Sequence, residues 1–109
     1  MFECQVELLS LIEEDGEIIY FLVGQYNFDP GLQIGEEVSI NCDVGGEVFY
    51  LKTKVVERKK EIYPKGSHSR KADESLFLLR IFVEAEDREK MLAIQEFLER
   101  VCEFTTRGE

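Results

Sequence analysis

The chain has 109 residues, a formal net charge of −10 and an apolar fraction of 44%, with eight Phe and four Tyr among its side chains. That is enough apolar material for one packed core and too little chain to divide, so disorder and a two-domain arrangement are excluded and residues 1–109 are read as a single domain. No apolar run approaches the roughly 20 residues that cross a bilayer as a helix, and the acidic opening MFECQVELLSLIEED lacks the positive charge of an export signal, so a cytoplasmic protein is expected.

The first segment alternates, with Phe2, Cys4, Val6 and Leu8 on one side and Glu3, Gln5 and Glu7 on the other, the period of a half-buried strand. Asp15-Gly16 then signals a hairpin turn, because both central positions of a type I′ turn need positive φ. The run IIYFLVG (18–24) returns as a second strand that is apolar on both faces and must be covered on its outer side. The stretch YNFDPGLQIG (26–35) is broken by Pro30-Gly31 and Gly35. EVSINCD (37–43) places Val38, Ile40 and Cys42 on one face, and Gly45-Gly46 turns the chain. A long strand begins at Glu47, with Phe49, Leu51, Thr53 and Val55 facing one way. It runs into a basic stretch expected to form a flexible loop, broken by Pro64 and Gly66. SLFLLRIFVEA (75–85) is the last strand, with Phe77, Leu79, Ile81 and Val83 inward and Arg80 outward.

After Ala85 the period becomes helical: Met91, Ile94, Leu98 and Val101 share a face over about residues 86–103. Glu86–Lys90 and Glu96–Arg100 are spaced for ion pairs along this helix, and Asp87 and Glu89 suit its N-terminal dipole. The tail TTRGE is expected to fray. The fold class is therefore mainly β, a small antiparallel β-barrel of five or six strands with one C-terminal amphipathic α-helix.

The order of elements, with the phrases GLQIGEEVSI and LFLLRIFVEAEDREKMLAIQEFLER, resembles the PilZ domain. That family binds cyclic di-GMP through an RxxxR pair ahead of its first strand and a [D/N]xSxxG motif. Here no Arg precedes Arg58. NFDPG keeps Asn27, but has Asp29 in place of Ser and Gly31 one residue early. The resemblance implies a degenerate PilZ-like domain that does not bind cyclic di-GMP in the family manner and works through protein contacts.

Charge supplies a second lead. Residues 1–51 hold eleven acids and no Lys or Arg, residues 52–71 hold eight bases and two acids, and residues 72–109 hold ten acids and five bases. Such a chain repels nucleic acid and anionic membrane over most of its surface. Arg58, Lys59, Lys60, Lys65, Arg70 and Lys71, with Tyr63 and His68 among them, offer the one candidate anion patch. It would serve cyclic di-GMP, another anionic ligand or an acidic protein surface, with Tyr63 stacking on a base. Alternatively, the cluster is a solvated counterweight to the acidic halves. The acidic first half is either a solubilising surface or a docking face for a basic partner. Opposite charge at the two ends also allows weak head-to-tail self-association, so a monomer or weak homodimer is expected.

Catalytic residues are not found. His68 has no adjacent nucleophile or orienting acid, and Glu13-Glu14-Asp15 and Glu36-Glu37 sit at turns. Gly45-Gly46 lacks the surroundings of a phosphate cradle. Cys4, Cys42 and Cys102 are far apart, without a CxxC pair and with one His in the chain, which argues against a metal site and for free thiols. No cofactor is called for. The reading is a non-catalytic regulatory or adaptor domain with a protein partner; the alternative is a sensor of an anionic ligand using residues 52–71.

Overall fold

The computed structural model describes residues 1–14, 17–67, 73–101 and 104–107. Its elements are β1 (Phe2–Glu14), β2 (Glu17–Tyr26), β3 (Glu37–Val44), β4 (Glu47–Tyr63), β5 (Leu76–Ala85), α1 (Arg88–Val101) and β6 (Phe104–Arg107). The six strands form one sheet in the order β3-β4-β5-β1-β2-β6. It curls into a half-barrel, with the helix after its fifth strand. Four pairings are antiparallel, and the central one, β1 with β5, is parallel, from Phe2 opposite Phe77 to Leu8 opposite Val83.

The period-two pattern sets the core. Cys4, Val6 and Leu8 of β1 and Leu79, Ile81 and Val83 of β5 face the same side, joined by Phe21, Leu51 and Val55. Met91 and Leu98 of α1 complete this cluster. Burying each such aliphatic side chain contributes about 1.5–3 kcal/mol. The helix is fixed by more than its apolar stripe. Asp87 Oδ1 accepts the Glu89 and Lys90 N–H groups at 3.0 and 3.1 Å, satisfying two donors that the first turn leaves open. The buried amide of Gln95 donates to Ser10 Oγ at 3.2 Å, and Phe97 meets Phe49 edge-on at 5.1 Å. Arg100, spaced to pair with Glu96, reaches instead to Glu47 at the start of β4, at 3.5 Å.

The turn after β3 is the two-residue hairpin expected of Gly45-Gly46, with Val44 opposite Glu47 and φ of 59° and 84° at the glycines. Asp15-Gly16 lies outside the described residues, between Glu14 and Glu17, which pair across it.

Two expectations are corrected. The tail does not simply fray, because Phe104–Arg107 pairs with β2 from Phe21 to Ile18. A backbone edge accepts a strand with little regard to its side chains, and Thr105-Thr106 suits the extended form. The basic stretch is also not a loop as far as Tyr63. β4 continues through Arg58, Lys59 and Lys60, paired with β5 as far as Leu76. An irregularity between Val55 and Glu57 shifts the alternation by one residue, leaving Val56 exposed.

Candidate functional site

Alternation along β4 separates the basic residues that the sequence places side by side. Arg58 and Lys60 lie opposite the core residues Ile81 and Leu79, whereas Lys59 and Tyr63 lie on the other face, opposite Arg80 and Leu76. Lys65 is exposed in the turn that follows, and His68, Arg70 and Lys71 lie outside the described residues.

On the concave face, Arg58 meets the residues of the family-like motif. Its guanidinium donates to Asp29 Oδ2 at 2.9 Å and to the carbonyl of Leu32. Asp29 Oδ1 accepts the Gly31 N–H at 2.8 Å, which closes a tight turn in which Gly31 has φ 78°. The Gly31 N–H and the Arg58 pair hold the Asp29 carboxyl below its ordinary value, with Lys60 assisting from nearby. Residues 27–36 thus form a strap joining β2 to β3, held to β4 by Arg58 and, at its far end, where Gly35 N donates to Val55 O and Val55 N to Glu36 O, both at 2.9 Å. Cys4 is fully buried; its burial, and after that the Asp29 charge, push its thiol up to about 11. Asn27 is exposed, and no polar contact joins it to Asp29 or Gly31.

The strap displays apolar side chains. Phe28 is 56% and Ile34 65% exposed, and Tyr26 packs on Phe28 with ring centroids 5.5 Å apart. The Tyr26 ring folds back over Gly24, where a Cβ would lie 2.9 Å from it, so only glycine leaves the ring that space. Beneath them lies a cleft of about 320 Å³ lined by Val6, Val23, Gly24, Tyr26, Pro30, Leu32 and residues 38–41. It is the seam between β2 and β3.

The opposite face carries a charge network. Arg80 Nε and Nη2 donate to the two oxygens of Glu7 at 2.7 and 2.9 Å, and Nη1 donates to Glu61 at 3.3 Å. The Tyr63 hydroxyl donates to Glu61 at 2.8 Å, and Lys59 stands 3.9 Å from the same carboxylate. The Glu7 bond raises the Arg80 pKa against the opposing effect of burial. Burial raises the Glu61 carboxyl, but bonds from Tyr63 and Arg80 outweigh it and the net shift is downward; the Tyr63 phenol is raised in return. Arg80 also lies 5.1 Å over the ring of Phe82, which packs on Tyr20.

The structure therefore joins Asp29, Gly31 and Arg58, and groups Lys59 with Tyr63 in a separate place. Each of Arg58, Lys59 and Tyr63 is engaged with a carboxylate. Sequence reading passed over Glu7 and Glu61, which sit at polar positions of alternating strands, and over Phe28 and Ile34. A signal for the latter pair was present: apolar residues within a Pro- and Gly-broken connection, where solvent-facing side chains are usually polar. Among the described residues there is no cluster of His, Cys, Asp and Glu suited to a metal ion, and no helix is long and apolar enough to cross a membrane. Comparison with protein-family models, curated proteins and solved structures finds no match to this chain.

Proposed function

We propose that the protein is a PilZ-like, non-catalytic regulatory or adaptor domain of a bacterial cytoplasm that acts by protein–protein contact. The observation that carries this reading is the strap: Phe28 and Ile34 are held out to solvent on a segment pinned by Arg58 and by its own backbone bonds to β4. Apolar anchors on a rigid support suit a protein interface, since little ordering entropy is lost when they are covered. The sensor reading is weaker, because a carboxylate stands at each described basic side chain that has a partner, and it would compete with an incoming anion.

The test compares immobilised wild-type protein with a Phe28→Glu, Ile34→Glu variant in capture from lysate, with circular dichroism confirming that both are folded. A protein retained by the first and lost by the second supports an adaptor. Equal retention removes the strap as the contact surface, whereas saturable amide shifts with cyclic di-GMP at residues 58–63 and no retained protein sink the adaptor in favour of the sensor.

A further inference from the structure

The seam between β2 and β3 has the parts of a strand-addition site. β3 ends the sheet on one side, and β2 has a second partner, β6, only from Ile18 to Phe21. Among the described residues, no backbone hydrogen bond joins β2 to β3 or reaches the outer edges of 22–26 and 38–41. Main-chain edges of both strands without a backbone partner thus border the cleft of about 320 Å³. Its floor is apolar, from Val6, Val23, Leu32, Val38 and Ile40, and its outer lip carries Ser39 and Asn41. Edge strands present a template for another extended chain, and alternating pockets then select its side chains.

Charge identifies the occupant. Every residue lining the seam comes from the first 51 residues, which contain no Lys or Arg. Glu37 and Asp43 on β3, and Glu36 just before it, are exposed. The cations of the neighbouring strands are engaged or lie to the side: Arg58 is bound to Asp29, the Met1 ammonium donates to Ser75 O beside Glu74, and Lys52 and Lys54 lie beyond β3 from the seam, opposite Ser39 and Glu37. We infer that the seam takes an extended peptide of a partner protein, apolar on the inward face and basic on the outward one, as an added strand between β3 and β2. β2 and β3 run in opposite directions, so the guest is antiparallel to one and parallel to the other. Pairing antiparallel to β3 would leave Glu37 and Asp43 beside its basic side chains. This deepens the adaptor reading and rests on it, assigning the partner's chemistry and the place where it binds.

The test titrates isotope-labelled protein with an octapeptide of alternating Lys and Val. Beside it run the same peptide N-methylated at alternate amides and a Glu/Val counterpart. Saturable shifts at the amides of 23–26 and 38–41 are expected. N-methylation should weaken binding about tenfold or more, because several main-chain bonds are lost. The Glu/Val peptide should not bind, and a Glu37→Lys, Asp43→Lys variant should bind the basic peptide several-fold less tightly. Binding indifferent to N-methylation, or the absence of seam shifts, overturns the inference. Seam shifts produced by concentrating the protein alone also overturn it and give the seam to a second copy; equal shifts with laurate give it to an apolar small molecule. Failure here with Phe28- and Ile34-dependent capture intact removes only the seam, whereas loss of that capture with peptide binding intact removes the strap as the adaptor's contact surface.

Discussion

Arg80 and Glu7 form a two-pronged pair across neighbouring parallel strands, and the Glu7 side chain is wholly removed from water. Its two oxygens take the Nε and Nη2 donors, the geometry in which guanidinium and carboxylate match best. Removing one member leaves an uncompensated buried charge or an orphaned polar group. Arg80→Ala is therefore expected to destabilise the fold by about 3 kcal/mol or more. The double replacement Glu7→Leu, Arg80→Met should be neutral or stabilising. Urea unfolding midpoints at constant slope measure both. A single mutant within about 0.5 kcal/mol of wild type would show that the pair contributes little.

Acid should loosen the molecule through Asp29 and Glu61. Each carboxyl binds its proton more weakly folded than unfolded, from ordinary values of 3.8 and 4.5, so falling pH favours the unfolded chain. The stability they contribute is whole above these values and is lost as pH falls through the lowered ones. Asp29→Asn with Glu61→Gln should flatten the slope of stability against pH below about 4.5, read by urea midpoints from pH 6 to 3. An unchanged slope would assign the acid sensitivity to other carboxylates.

The thiols should react in order. Cys4 is fully buried with its pKa pushed up to about 11, whereas Cys42 is partly exposed and less hindered, though burial raises it too. In a Cys102→Ser background at pH 8, iodoacetamide should modify Cys42 well before Cys4, as followed by mass spectrometry. Similar rates would mean that the strap opens often enough to expose the core.

The cap on α1 can be removed by one substitution. Asp87→Ala deletes the acceptor for the Glu89 and Lys90 N–H groups and should cost about 1 kcal/mol, while Asp87→Asn should retain most of the stability. Thermal melts of the two variants make the comparison, and equal losses would point to charge rather than capping.

Much of the frame was legible from periodicity. Strict alternation marked the inward residues of β1 and β5, the paired glycines marked the β3–β4 turn, and the spacing of Met91 and Leu98 marked the helix face. What escaped was set by partners remote in sequence. Glu7 looks like a solvent-facing residue until Arg80, 73 positions away, is brought beside it. Arg58 and Asp29 look like rival features, one inviting an anion and the other repelling it, until the strap joins them. The basic stretch looks like a patch in the sequence, but neighbours in sequence are not neighbours in space here, because an extended backbone sends them to opposite faces. β6 was missed because four residues of ordinary composition carry no pattern long enough to read.

The parallel pairing at the middle of the sheet also governs how the molecule can be made. β1 is first in the chain and β5 is last among the strands before the helix, yet they are neighbours in the finished sheet. The β1–β2 and β3–β4 hairpins close short loops and can form early, but neither has a covered core until residues near 85 arrive. A long loop must close before this contact repays its entropy, which places the fold with slow, high contact-order topologies. During synthesis, β1 must wait with one edge open while most of the domain emerges, and its acidic alternation, Glu3 and Glu7 among apolar neighbours, helps keep that waiting strand from pairing with copies of itself.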